Sequence, residues 1–353
     1  MLMFVGLGVD QSLSTKSIDA LKSCERIFFE DYTSPPIRQG IESEIATDLG
    51  GKKIEKVERQ FLETGDEVIH LAERQRVAII SPGDPMMATT LQELRTRAMK
   101  RKIGTKVIHG SSVLCAISGE TGLHSYNFGR HVTVTSGGVQ LTAYETVYEN
   151  LLRGLHTTLL LEWDSSNQFF LPPRTAVKSL LECEDHIKYG ILSEDTLLVA
   201  VSRIGSEDVS THVLNLGKAI EFDFGDPPHV MVIPGRLHFT ERDFLGTISG
   251  RQPESFPDNS ERVKRHAKRM IERYSEKTLD ALKRARVTAD VLKSEVTFGR
   301  IKFEEIFENV ECYAHDSVRF LNEGKEELAI LSIGYAEGLL DSLRFGGLLE
   351  FDW

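Results

Sequence analysis

Cysteine is scarce, with four in 353 residues. Cys24, Cys115, Cys183 and Cys312 stand far apart, with no CxxC pair and no histidine at zinc-finger spacing. This excludes a disulfide scaffold and a structural zinc site, and reads as reduced thiols in a cytoplasmic protein. No run approaches the roughly 18 consecutive apolar residues of a membrane span. The apolar start, Met1 to Val9, is short and ends at Asp10. No basic segment or cleavage site accompanies it, so it is expected to be a buried first strand and not a signal peptide. Also missing are a GxSxG elbow, an HExxH pair and a P-loop, so the chemistry looks like positioning rather than covalent or metal catalysis. Positive charge is in deficit, at a net −11. A phosphate backbone would repel such a chain, which excludes general nucleic-acid binding and leaves room only for a local basic patch.

What is present is an ordinary globular composition, 41% hydrophobic and 27% charged, on a chain long enough for two or three domains. Residues 2–9 form a strand that ends in the turn Gly6-Leu7-Gly8. Ser14 or Thr15 caps a helix running to Ser23. Further strands are expected at Arg26–Phe29, Val77–Ser81 and Lys106–His109. The run Arg26–Phe29 stops at the breaker Tyr32-Thr33-Ser34-Pro35-Pro36. Helices are expected at Asp66–Arg74, Thr89–Arg101 and near Ser112. Strands alternating with helices argue for a parallel sheet covered on both faces. The middle of the chain adds strands at His131–Thr135, Thr157–Glu162, Thr196–Arg203 and His229–Ile233. Helices at Thr142–Arg153 and Arg174–Cys183 lie between them, as in a second α/β unit with a mixed or antiparallel sheet.

After Thr247 the composition shifts, and Gly250, Pro253 and Pro257 sit in a polar stretch, 247–259, that reads as a linker. From Glu261 the pattern is helical. Val263, Ala267, Met270, Ile271, Tyr274, Thr278 and Leu282 fall at spacings of three and four. Phe303, Ile306, Phe307, Val310, Ala314 and Leu321 repeat this, as do Leu328, Leu331, Tyr335, Leu339 and Leu343. Three amphipathic helices would bury these stripes as a small bundle.

In parallel α/β sheets, ligands bind beyond the carboxyl ends of the strands. That rule selects Gly6 to Val9, Ser81 to Met87 and His109 to Val113. The GxG at 6–8 lacks the third glycine of a dinucleotide fingerprint, so it is either a close approach to a ligand or a plain tight turn. In Ser81-Pro-Gly-Asp-Pro85, two prolines flank one carboxylate. It is either displayed to a ligand or accepts hydrogen bonds within its own turn. His70, His109, His124 and His156 read more simply as core or surface residues than as ligands. His229 stands out because it follows Gly225-Asp-Pro-Pro228 and opens a strand.

Taken in order, GLG (6–8), EDYTS (30–34), SPGDPMMATT (81–90), VIHGSSV (107–113), TGLHSYNFGR (121–130), RGLHT (153–157), GDPPH (225–229) and IPGRLH (233–238) resemble the diphthine synthases of the tetrapyrrole-methylase-like superfamily. The resemblance covers about residues 1–246. It implies an α/β architecture in two domains, 1–110 with a parallel sheet and 111–246 with a mixed sheet, and a cleft between them for folded S-adenosylmethionine. Carried over by motif, the cofactor contacts fall on Val9, Asp84, Met87, Ser112, Val113, Leu161, Ser202, Ile204 and His229. The implied reaction is repeated N-methylation of a histidine of translation elongation factor 2 that already bears a 3-amino-3-carboxypropyl group. The family also implies a homodimer, and no metal is expected. The alternatives are another methylase of the superfamily, or a non-catalytic cofactor-binding protein that works through its helical part.

Relatives end near Leu245, so residues 260–353 are an addition. ILSIGYAEGLLDSLRFGG (330–347) resembles a small archaeal helical family of uncharacterised function, which implies an archaeal source and a fused module. Its first helix carries Arg262, Lys264, Arg265, Lys268, Arg269, Arg273 and Lys277. That face is either simply solvated or a docking surface for the elongation factor or RNA.

Overall fold

The structure, a computed structural model, describes residues 1–353 except 36, 39, 262, 292–296 and 299–300. Pro36 and Arg262, named above, therefore lie outside the described residues. The chain divides into two compact units, Met1–Val263 and Lys264–Trp353.

The first unit opens with β1 (Leu2–Gly6), α1 (Thr15–Lys22), β2 (Arg26–Phe29), α2 (Ile41–Asp48), β3 (Glu55–Lys56), α3 (Arg59–Thr64), α4 (Asp66–Arg74), β4 (Val77–Ser81), α5 (Leu91–Lys100) and β5 (Thr105–Ile108). The five strands form one parallel sheet in the order β3-β2-β4-β1-β5. Every residue of β1 and β4 is buried, as a sheet covered on both faces demands. Alternation divides them: Met3, Val5, Ile27 and Ile80 pack with Leu21, Ile41 and Ile45 from α1 and α2. Leu2, Phe4, Phe28 and Ile79 pack on the other face with Leu62, Val68, Ile69 and Leu94 from α3, α4 and α5.

There follow α6 (Val113–Thr121), β6 (Val132–Val134), α7 (Leu141–Leu151), β7 (Thr157–Leu161), the short hairpin β8 (Trp163–Asp164) and β9 (Phe169–Phe170), α8 (Pro173–Ile187), β10 (Leu197–Ser202), β11 (Ser210–Asn215), α9 (Leu216–Ala219), β12 (His229–Ile233) and α10 (Phe239–Ser249). The second sheet runs β11-β10-β12-β7-β6. It is mixed: β6 and β7 are parallel, while β7, β12, β10 and β11 pair antiparallel. One face packs on α7 and α8, and the other receives Ile117 of α6, Leu245 of α10 and Phe256.

The stretch expected to be a linker, 247–259, is packed onto this sheet. Phe256 is buried in the core. Asn259 is buried and accepts from Leu197 N at 2.9 Å, while its amide donates to the Leu197 and Pro234 carbonyls. A polar, proline-containing sequence looked loose because its anchors are one aromatic and one amide, too few for a periodic signal.

The second unit comprises α11 (His266–Val291), α12 (Phe303–Asn322) and α13 (Glu326–Phe345). The bundle core holds Leu282, Phe307, Val310, Ala336, Leu340 and Leu343. The first two stripes are largely as expected, although α11 starts at His266 and Val263 packs in the first unit, against its second-sheet core. The third stripe is out of phase. Leu343 is buried and Leu339 partly buried as expected, but Leu328, Leu331 and Tyr335 are exposed, and α13 buries Ala329, Ser332, Ile333, Ala336 and Leu340 in their place. Apolar residues surround this helix on most sides, so the pattern alone did not select a face. The small side chains at 329, 332 and 336 let the neighbouring helices approach closely. Among the described residues no helix is long and apolar enough to cross a membrane.

Candidate active site

Three loops at the carboxyl ends of the first sheet meet backbone to backbone. Gly8 N donates to Gly83 O at 3.0 Å and Gly83 N to Gly8 O at 3.1 Å. A Cβ on Gly6 would come within 2.5 Å of Gly83 O and 2.6 Å of Gly110 N, and one on Gly110 would overlap Gly8 N and Gly83 O. Glycine at 6 thus serves loop against loop contact, while Gly8, at φ +76°, also borders the cavity described next. The second sheet joins this cluster through Gly205, whose Cβ would overlap the Val9 backbone.

These loops border a cavity of about 700 Å³ within the first unit. Eight of the nine positions expected from the sequence line it: Val9, Asp84, Met87, Ser112, Val113, Leu161, Ile204 and His229. Ser202 does not. It is buried on β10 in register with His229, and its hydroxyl donates to Phe224 O at 2.8 Å.

Asp84 accepts hydrogen bonds within its own turn, as the second reading of its loop expects, and also lines the cavity. Its Oδ1 accepts from Met86 N in its own turn at 2.9 Å, and Oδ2 meets His109 Nδ1 at 2.7 Å. Ser112 caps α6, accepting from Leu114 N at 3.2 Å. The first N–H groups of that helix lack intrahelical acceptors and bring partial positive charge to this end of the cavity. His229 lies at the start of β12, and its Nε2 meets Phe224 O at 3.2 Å, which assigns the proton to Nε2. Burial lowers its pKa, so the ring is neutral near pH 7. Nδ1 is then a buried acceptor with no hydrogen-bond partner among the described residues.

The far side of the cavity was not picked out from the sequence, apart from the EDYTS motif. Glu30, fully buried at the end of β2, accepts from Thr33 N at 3.1 Å and so fixes the loop that presents Tyr32, Thr33 and Ser34. Desolvation pushes Glu30 up to about 7 and Tyr32 up to about 12, so the phenol keeps its proton at working pH. Gln11 bridges loops, accepting from Ile37 N and donating to Pro35 O. Trp163 Nε1 donates to Asp31 O at 2.8 Å, which links β8 to the first sheet. Arg59, at the start of α3, stands at the rim. Long-range pairs such as these leave no local sequence signal. Among the described residues no group of three or more metal-ligating side chains comes together.

Residues 1–219 match the family described as tetrapyrrole (corrin/porphyrin) methylases. A diphthine synthase of Methanocorpusculum labreanum is 34% identical over 256 residues, covering 71% of this chain and 99% of the relative. That of Methanocaldococcus jannaschii is 35% identical, covering 69% and 97%. The chain belongs to the diphthine synthase family. A crystal structure of a diphthine synthase superposes with a TM-score of 0.64 at 30% identity, over 72% of this chain and 97% of the other. The tetrapyrrole-methylase match ends at residue 219, before the helical unit. Residues 273–349 match a separate family described as a protein of unknown function (DUF357), so a module has been fused to a methylase. As a diphthine synthase family member, the chain is an S-adenosylmethionine-dependent methyltransferase of diphthamide biosynthesis.

Proposed function

We propose that the cavity holds S-adenosylmethionine and that the chain methylates, repeatedly, the amine of an aminocarboxypropyl-modified histidine on translation elongation factor 2. The observation that carries this is a cavity of drug-ligand size whose wall combines apolar Val9, Met87, Val113, Leu161 and Ile204 with polar Asp84, Ser112 and His229. The unpartnered Nδ1 of buried His229 leaves an acceptor waiting for a donor, as a bound nucleoside or amino acid would provide.

When bound, the cofactor supplies an electrophilic methyl group. The side chains then have to hold the two reactants in line and exclude water, which by itself lowers the barrier by several kcal/mol, roughly 7–11 at best. The apolar positions flank the ligand and keep water out. Asp84 is fixed from two sides, so its free lone pairs point in set directions. No nucleophile is needed. Each product amine can lose its proton and react again, until a trimethylammonium leaves no lone pair.

The free thiols of Cys24, Cys115, Cys183 and Cys312 support a cytoplasmic setting. The exposed Phe239, Phe244 and Ile248 on α10 support self-association into a homodimer. Of the basic residues expected on the first helix, Lys264 and Arg265 lie just ahead of α11 and pair with Glu272 and Glu326 at 2.7 and 2.9 Å, which favours a solvated surface over a nucleic-acid site. The test is intact mass spectrometry of elongation factor 2 bearing the aminocarboxypropyl histidine, incubated with this protein and cofactor. Up to three additions of about 14 Da each, a methylene by simple arithmetic, are expected. No addition, with S-adenosylhomocysteine still bound in calorimetry, would move the substrate elsewhere within the methylase superfamily.

A further inference from the structure

The cavity extends well past the positions assigned to the cofactor. Those on the first sheet follow β1, β4 and β5, whereas Tyr32 follows β2 and Arg59 follows β3. In the order β3-β2-β4-β1-β5, three strand spacings separate the chain leading to Tyr32 from that leading to Ser112, about 14 Å at roughly 4.8 Å each. Arg59 lies one strand further out. One cavity therefore has two ends.

The Tyr32–Arg59 end has its own electrostatic character. Among the described residues that line the cavity, Arg59 is the only lysine or arginine. The other charged side chains on the wall are the carboxylates Asp84 and Glu162. Arg59 Nε donates to Glu63 Oε1 at 2.7 Å, one turn along α3, which fixes the plane of the guanidinium. Its two terminal nitrogens make no protein hydrogen bond among the described residues. They form the edge of the guanidinium that matches a carboxylate with two parallel bonds. Beside it stands the neutral Tyr32 hydroxyl, 3.4 Å from the Thr90 hydroxyl, available as a further donor. On a chain of net charge −11, the one lysine or arginine among the described residues of the cavity wall, shared with Glu63 only through Nε, is where an anionic group is held rather than repelled.

We infer that Arg59 is a specificity residue that binds the carboxylate of the substrate's amino-acid side arm, with Tyr32 alongside, and so sets the neighbouring amine towards the methyl donor. This rests on the substrate reading given above. The carboxylate is unchanged by each methylation while the amine grows, so an anchor on the carboxylate holds through every round. An anchor on the amine would be lost as its N–H groups are replaced.

The cofactor also carries a carboxylate, and the experiment separates the two sources. Arg59→Ala and Arg59→Lys are compared with the wild type for KM and kcat on the modified elongation factor, and for S-adenosylhomocysteine affinity by calorimetry. Arg59→Ala should raise KM about tenfold to a hundredfold, the loss expected for a charge-assisted pair. Cofactor affinity should stay within about twofold, and Arg59→Lys should recover part of the loss because it keeps the charge without the fork. An unchanged KM overturns the inference. A matching loss of cofactor affinity also overturns it, by giving Arg59 to the cofactor's carboxylate. Glu63→Gln removes the partner of Arg59 on α3 and should leave KM near the wild-type value. If it reproduces Arg59→Ala, the arginine only braces the helix and the inference fails. A wild-type protein that transfers no methyl group would end the underlying substrate reading, and this one with it, an outcome distinct from an active wild type with an indifferent variant.

Discussion

In the α/β unit, the segments that build the cavity touch through their backbones. Three loops meet at Gly6, Gly8, Gly83 and Gly110, and a methyl group on Gly6 or Gly110 would overlap peptide atoms. In the helical unit, contact is made by side chains, and Gly334 and Gly338 on α13 have nothing within 4 Å of a built Cβ. The same residue type therefore has opposite uses. In the first unit glycine is a steric requirement of the site. In the second it leaves a helix less stable than it could be. Where backbones must meet, few substitutions fit, so a short motif there is informative. Helix faces tolerate many, so their pattern specifies less.

The sharpest way to break this contrast is Gly110→Ala. The new methyl would press on Gly8 N and Gly83 O at once, and both are backbone atoms held by hydrogen bonds to each other's loops. Ordinary overpacking costs about 1–3 kcal/mol. With no flexible side chain to yield, at least about 3 kcal/mol is expected, together with loss of S-adenosylhomocysteine binding. Denaturant melts and calorimetry read both. A variant that melts within about 1 kcal/mol of the wild type and still binds would show that these loops are not locked together.

The helical unit is probed by a pair on α13. Leu340 is fully buried, whereas Leu331 is 68% exposed. Leu340→Ala should cost about 2–5 kcal/mol through the cavity it leaves, and Leu331→Ala within about 0.5 kcal/mol. Comparable losses at both positions would restore the part of the expected stripe that the structure exposes, Leu328, Leu331 and Tyr335.

That stripe marks where the sequence stopped being informative. Helix α13 reads EELAILSIGYAEGLLDSLRF, with apolar side chains on nearly every side, and only the partner helices decide which face is covered. Strand β11, STHVLN, was missed because it is a half-buried edge strand with weak alternation. Helix α2, IESEIATD, is too short to show a period. By contrast, β4 and α4 were legible to the residue, since one is an unbroken apolar run and the other is amphipathic and starts just after Gly65. The site divides in the same way. Val9, Asp84 and Ser112 follow strand ends within motifs, and His229 opens a strand within one. Arg59, Gln11 and Trp163 reach the cavity through contacts 24 to 132 residues apart in the chain, or by the course of the sheet, and no local pattern announces them.

Acid sensitivity should also separate the units. Glu241 is fully buried and accepts from His156 Nε2 at 3.2 Å, His124 N at 2.8 Å and His238 N at 2.7 Å. Burial pushes its carboxyl up, but these donors outweigh that and hold it at about 2. A folded-state pKa below the ordinary value of 4.5 means that the charge stabilises the fold fully above about pH 4.5 and ceases to as pH falls through 2. The contribution is on the order of 3 kcal/mol. Glu241→Gln should therefore destabilise the α/β unit by about 1–3 kcal/mol at pH 7 and flatten its stability between pH 4.5 and 2. In the helical unit the lowered carboxyls, Asp280 and Glu323, are exposed with lysine partners on the surface, so its melt should change little over that range. A pH titration followed by tryptophan fluorescence distinguishes the two, because Trp163 and Trp353 lie in different units. Equal acid dependence at both signals would remove Glu241 as the cause.

The smallest effect is the most direct test of the opposite use of glycine. Gly338 lies inside α13, exposed, with room for a methyl group and ordinary helical geometry. Replacing it by alanine reduces the freedom of the unfolded chain and adds no clash, so Gly338→Ala should stabilise the helical unit by about 0.5–1 kcal/mol. The same change at Gly110 in the first unit should cost several times as much. The sign matters more than the size. A stabilising alanine at 338 means that nothing presses on this face of α13, where Leu331 and Tyr335 are also exposed. A destabilising one means that a backbone comes close to Gly338 in solution, and the helical unit would then use glycine for close approach just as the α/β unit does.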